Sequence, residues 1–317
     1  MSKNKIITSI GGQALIEGVM MRGPKKTFLS VRLPDNSLYS EEIKVDLIQK
    51  KYKIFKYPFF RGIAGLIDSL RIGQKALNIS AEKSTGLDKM EPESKFEKWL
   101  SKTFGDKITN VVIFISTVLG ICLSLFLFFF LPSWIFNVTV GNIPQFAGNS
   151  TVRSIFEGII KFLIFLAYMF LCSQIKDIKR VFQYHGAEHK TIFCYENQDE
   201  LTVENVKKCS RFHPRCGTSF IVVMLLIGIV IGIFIPFHGS ALRAIIKILL
   251  IPVMASLGYE LIKFCGRHDN KLTRIIASPG LWMQRITTKE PDDNMIEVAI
   301  NSLKAVIPEN KEDQIKI

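Results

Sequence analysis

The chain has 317 residues, with 41 Lys and Arg against 28 Asp and Glu, a formal net charge of +13. Its mean hydropathy is nonetheless positive, at +0.24. A basic yet apolar chain fits a membrane protein whose Lys- and Arg-rich parts face anionic lipid headgroups. No basic stripe interleaved with aromatics lies outside the apolar runs, so a nucleic-acid partner is not expected. Cys122 and Cys172 fall in apolar runs and the other four cysteines in segments expected in the cytosol, which excludes a disulfide framework.

From the N-terminus, the apolar patch Ile6–Ile10 is too short for a signal-peptide core, so insertion is expected to use internal spans. Residues 6–47 read as β-rich, with Pro34-Asp35-Asn36-Ser37 as a turn between two alternating runs. The stretch Gly11 to Pro24 is crowded with glycine, which marks a twisted edge hairpin or close approach of backbone to another group. Glu17 and Arg22 are the charges embedded in it and are candidate binding residues. Residues 58–80 predict an amphipathic helix with Phe59, Phe60, Ile63, Leu66, Ile67 and Leu70 on its apolar face. Such a helix lies in the headgroup plane or packs on the small sheet.

Four apolar stretches follow: Val111–Leu131, closed by Pro132 and Trp134; Ile155–Ile175; Ser219–Phe237, closed by Pro236; and the weaker Arg243–Phe264, kinked at Pro252. Glu157 and Lys161, four apart, are expected to pair. The loop 132–152 has no Lys or Arg, whereas 176–218 carries Lys176, Lys179, Arg180, Lys190, Lys207, Lys208, Arg211 and Arg215. That bias places both termini and the central loop in the cytosol of a multi-pass plasma-membrane protein. The expected fold is an α-helical membrane protein with four transmembrane helices plus a cytosolic α+β portion. Its parts are a cytosolic β-rich segment with an amphipathic helix over 1–107, a four-span region over 108–264 and a cytosolic tail over 265–317. In that tail Ala277–Arg285 reads as a turn followed by an interfacial segment. Asp292 or Asp293 then caps a final amphipathic helix that packs on the N-terminal sheet.

The chemistry concentrates in the central loop. His185-Gly186-Ala187-Glu188-His189 is an H-x-x-E-H run, which on a helix sets two imidazoles on one face. Two such groups grip a divalent ion, zinc foremost, with Glu188 beside it as general base. Gly186 counts against an unbroken helix. Three groups compete for the third ligand: His213 and Cys216 in the turn before the third span, and Glu260 near the end of the fourth, which alternatively pairs with Lys263 or Lys247. A separate zinc site of Cys209, His213 and Cys216, completed by Cys265 or His268, is a further possibility. Arg22 and Arg215 are placed to hold an anionic substrate group.

With these segments laid out, the chain resembles the YqhQ-like family, bacterial membrane proteins of unknown function. The resemblance runs from about Ile10 to about Leu303. It rests on Gly11–Pro24, Tyr57-Pro58-Phe59-Phe60-Arg61-Gly62, His185–His189, His213-Pro214-Arg215-Cys216-Gly217-Thr218-Ser219 and Pro279-Gly280-Leu281-Trp282. It implies a metal-dependent enzyme and leaves the reaction open. The reading that follows is a metal-dependent hydrolase at the cytosolic membrane face, with His185, His189 and His213 or Glu260 as ligands. The alternative is a non-catalytic membrane protein with a structural metal, whose basic cytosolic face recruits a protein partner or anionic lipid. An ion transporter fits less well, because Glu157, Lys161, Lys247 and Glu260 all lie towards span ends.

Overall fold

In a computed structural model, which describes residues 6–44, 46–48, 53–57, 60–85, 108–146, 148–237, 239–267 and 270–314, the alternating N-terminal stretch is a four-stranded antiparallel meander. Its strands are β1 (Gly11–Leu15), β2 (Gly18–Arg22), β3 (Thr27–Arg32) and β4 (Leu38–Glu42). The two-residue turn between β1 and β2 holds Glu17 at φ 51°, and the turn before β4 holds Asn36 at φ 64°. The helices are α1 (Phe60–Thr85), α2 (Ile108–Leu125), α3 (Leu131–Thr139), α4 (Ser150–Cys172), α5 (Lys176–Glu196) and α6 (Val203–Lys208). They continue with α7 (Gly217–Ile233), α8 (Ser240–Leu249), α9 (Ile251–Arg267), α10 (Lys271–Thr287) and α11 (Asp293–Val306).

The chain divides into two units. One gathers residues up to 86, 168–224 and from 252 onward. Here the strand alternation decides which helix covers which face of the sheet. Leu15, Met20, Leu29 and Val31 point to α1, where Ile72 and Ala76 meet them. Val19 and Met21 point the other way, into a core built with Tyr184 and Ala187 of α5 and Met295, Ile296 and Leu303 of α11. Each fully buried side chain of this kind stabilises the fold by roughly 1.5–3 kcal/mol. Asp292 caps α11, accepting from the Met295 N–H at 2.9 Å.

Helix α10 runs straight through Pro279, where the sequence suggests a turn. Proline cannot donate to the carbonyl four residues back. The Ser278 hydroxyl donates to that Ile275 carbonyl instead, at 2.8 Å. Gly280 then admits Ser219, whose Oγ lies 2.4 Å from where a Cβ would stand.

The other unit comprises the described residues of 87–167 together with 225–251. The first apolar helix does not end at Pro132. A π-helical turn, Phe126–Phe130, joins α2 to α3, and Pro132 sits in the first turn of α3, where a wider backbone accommodates its ring. Glu157 is not the partner of Lys161. Its carboxylate accepts from Arg153 at 2.8 Å, from Arg243 at 3.1 Å and from Lys247, all of them buried. Lys161 lies over the Phe129 ring. Arg243 also donates to the carbonyls of Gly232 and Ile235, which closes the C-terminal end of α7.

Among the described residues, two helices are long and apolar enough to cross a membrane, Phe114–Thr139 and Ser150–Cys172. The pair Ser240–Leu249 and Ile251–Cys265 makes a third if it counts as one span. Of the four expected spans, two or three are therefore shown among the described residues. Helix α7 has 17 residues, which rise only about 26 Å, short of a hydrocarbon core of roughly 30 Å. The fourth stretch breaks at Leu250, just before Pro252.

Candidate metal centre

Helix α5 carries the H-x-x-E-H run without interruption. Gly186 is there for packing: a Cβ would stand 2.0 Å from the Lys289 carbonyl oxygen. The chain after α10 therefore presses against the helix backbone, and the Lys289 N–H donates to the Phe182 carbonyl at 2.8 Å. This contact brings Thr287 to His185. The His185 Nδ1 lies 2.9 Å from the Thr287 carbonyl, and the His189 Nδ1 lies 2.6 Å from the Arg211 carbonyl. A carbonyl only accepts, so both Nδ1 atoms carry a proton, and in the neutral ring each Nε2 keeps the lone pair.

Both rings stand beside the Cys216 thiol. The His185, His189 and Cys216 ligand atoms all lie within 4.8 Å of one another, and the Cys216 Sγ is 3.2 Å from the His185 Nε2. Two such atoms on one tetrahedral zinc ion sit roughly 3.5 Å apart, given Zn–N and Zn–S bonds of about 2.0 and 2.3 Å. The donor set, its tautomers and its spacing thus fit a divalent ion, with the backbone carbonyls as the outer partners that ligating histidines require. Among the described residues, no fourth His, Cys, Asp or Glu joins this group. The Thr218 N–H, in the first turn of α7, donates to the Cys216 sulfur at 3.4 Å.

The other expected ligands are committed elsewhere. His213 is buried beside the group, its ring centroid 5.6 Å from that of His189. Its Nδ1 accepts from the Arg215 N–H at 3.3 Å, and its Nε2 lies 3.5 Å from Glu196. Burial, against the opposing pull of Glu196, lowers its pKa to about 4. Glu260 forms a two-pronged ion pair with Arg61. Cys209 lies apart, its thiol on the Asn205 carbonyl at 3.5 Å. His268 lies outside the described residues.

Of the remaining candidates, Glu188 is buried against β1, where a Cβ on Gly12 would stand 2.7 Å from its Cγ. Only glycine lets the strand come this close. Burial raises the Glu188 pKa to about 7, and His185 and the Gly12 N–H only partly offset it. Glu17 is turned to structure: it pairs with Arg180 and accepts from the Tyr184 hydroxyl at 3.2 Å, tying the β1–β2 turn to α5. Arg215 pairs with Glu196 rather than facing an open site. Arg22 lines a cavity of about 1280 Å³ whose wall includes Gly12 and Gly217, the neighbours of Glu188 and Cys216 respectively.

Two supports had no signal in the sequence. Gln284 of α10, fully buried, accepts from the His213 N–H and donates to the His213 carbonyl, both at 2.7 Å. It pins the turn that delivers Cys216. Glu196, at the end of α5, holds that turn through Arg215 and the N-terminal segment through the Thr8 N–H at 2.9 Å.

Residues 57–309 match the family described as "Protein of unknown function (DUF1385)". Over 308 residues the chain is 37% identical to "Uncharacterized protein YqhQ" of Bacillus subtilis (strain 168), a match that covers 97% of this chain and 95% of that protein. No solved structure matches the chain.

Proposed function

The chain belongs to the DUF1385 family of proteins of unknown function, and we propose that it is a metal-dependent hydrolase of the cytosolic membrane surface, with zinc or a similar divalent ion held by His185, His189 and Cys216. The observation that carries this reading is the pair of imidazoles, each held at Nδ1 by a backbone carbonyl, with ligand atoms of both and the Cys216 thiol all within 4.8 Å of one another. Three protein ligands with no fourth among the described residues leave a coordination position for a reactant, the pattern of catalytic rather than structural sites. When bound, such an ion supplies Lewis acidity and makes water a nucleophile near neutral pH. Glu188 is the general base, placed between the two histidines in sequence and shielded from bulk water by the Gly12 backbone. Arg22 faces the adjoining cavity and binds an anionic group of the substrate.

The membrane arrangement belongs to the same proposal. Residues 132–152 contain no Lys or Arg, so the hairpin of the first two spans points its loop outward and α5 begins in the cytosol. The apolar stretches of α7 to α9 return the chain to the cytosolic side, with both termini inside. Glu188→Gln is expected to retain metal and lose turnover, and a metal-free Glu188→Gln protein would make Glu188 a ligand instead. The burial of His189 and Cys216 favours a second reading, a structural ion in a protein whose basic face recruits a partner or anionic lipid. Under that reading Glu188→Gln changes nothing measurable.

A further inference from the structure

The cavity beside the metal centre has walls of two kinds. Around the open end of the sheet stand Arg22, Lys25, Lys26 and Lys44, with Glu42 and Asp46 as the carboxylates among them. Lys25 is held by Glu312 at 3.0 Å. Arg22, Lys26 and Lys44 have no carboxylate partner within salt-bridge distance among the described residues, so the lining is positive on balance. Gly217, where the 17-residue helix α7 begins, adds its backbone N–H and the positive end of a helix dipole. The opposite wall is α1, through Gly62, Gly65, Leu66 and Ile72, joined by Phe220. At about 1280 Å³ the cavity exceeds the 300–1,000 Å³ typical of small-molecule pockets.

The other face of α1 bears Phe60, Ile67 and Leu70, which are 41%, 40% and 64% exposed. A helix that packs one face on the sheet and the cavity and leaves large apolar residues exposed on the other suits the headgroup boundary of a bilayer. The helix that walls the cavity therefore also carries the surface that meets lipid.

We infer that this cavity binds a phosphate-bearing lipid, with the phosphate among Arg22, Lys26 and Lys44 and the start of its hydrocarbon along Leu66 and Phe220. A phosphate has oxygens enough for three cations and the Gly217 N–H together, and an Arg fork suits it. As the substrate class of the neighbouring metal centre this rests on the function proposed above; as a binding site it does not.

The test uses full-length protein in neutral detergent and reads binding of dioleoyl phosphatidic acid by native mass spectrometry, with metal content measured on the same samples. Arg22→Gln/Lys26→Gln/Lys44→Gln is expected to weaken binding at least tenfold while metal content and melting temperature hold. Gly11→Phe is the second variant. Gly11 lines the cavity and has open space at its Cβ position, so the ring enters the site without disturbing the strand, and binding falls. Binding equal to wild type in both variants overturns the proposal. Glycerol 3-phosphate displacing the lipid at equal concentration overturns its lipid part and assigns the site to a soluble phosphate ester. His185→Ala/His189→Ala leaves these walls intact and is expected to bind lipid as wild type does, so an empty metal centre and an empty cavity give different results.

Discussion

Gln284→Ala isolates the support of the Cys216 turn. The wild-type amide satisfies both the N–H and the carbonyl of His213 at 2.7 Å, in a place with no exposure. Truncation leaves the buried His213 N–H without a partner and its carbonyl with the Cys216 N–H alone, so the expected loss of stability is about 1–3 kcal/mol. Cys216 follows His213 by three residues, and its backbone N–H donates back to the His213 carbonyl at 3.3 Å. Slackening this turn loosens Cys216, the one proposed ligand that is not on α5. Loss of such an outer support lowers metal affinity by about 10–100-fold. Thermal unfolding of the full-length protein in detergent measures the first effect, and zinc titration against a chromogenic chelator measures the second. Gln284→Glu keeps the acceptor and loses the donor, and should fall between wild type and Gln284→Ala in both. A Gln284→Ala protein that melts and binds zinc as wild type does would refute the argument that this amide positions the thiol.

Glu157→Gln leaves Arg153, Arg243 and Lys247 buried with little counter-charge, and thermal unfolding should show a loss of about 3–5 kcal/mol. Gly186→Ala drives a methyl group into the Lys289 carbonyl; overpacking costs about 1–3 kcal/mol, and zinc titration should also weaken because Thr287 no longer meets His185. Acid should weaken the fold through Glu17 and Glu196. Burial raises the pKa of each, but Arg180 with Tyr184 in the first case, and His213, Arg215 and the Thr8 N–H in the second, bring it below the ordinary 4.5. The native state therefore binds fewer protons than the unfolded one, so this stability is present above pH 4.5 and lost as pH falls through the depressed values. Unfolding midpoints measured against pH should flatten in Glu17→Gln and Glu196→Gln.

Much of this architecture is legible in residue pattern. Alternation around Pro34-Asp35-Asn36-Ser37 marks a hairpin, and the spacing of Met295, Ile296, Ala299, Ile300 and Leu303 marks a buried helical face. Hydropathy windows find apolar stretches but not helix lengths or breaks, so the 17 residues of α7 and the bend between α8 and α9 are not legible in them. The helix through Pro279 is hidden for a related reason: its repair is a side-chain bond from Ser278, a tertiary detail with no local signature. Composition points to the centre, since the His185–His189 spacing and the turn ending at Cys216 are both visible. Choosing among His213, Cys216 and Glu260 requires knowing what else each one touches. Glu196 with Arg215 and Arg61 with Glu260 supply those competing partners from 17 and 199 residues away or across a turn, beyond the reach of any motif.

The central claim is that His185, His189 and Cys216 hold one ion. Elemental analysis of detergent-purified full-length protein tests it directly, with wild type beside His185→Ala/His189→Ala and Cys216→Ala. The account predicts about one equivalent of a divalent metal in wild type, zinc first, and loss of it in both variants while Glu260→Gln keeps its full complement. Equal metal in wild type and both ligand variants, or metal lost only in Glu260→Gln, would contradict it.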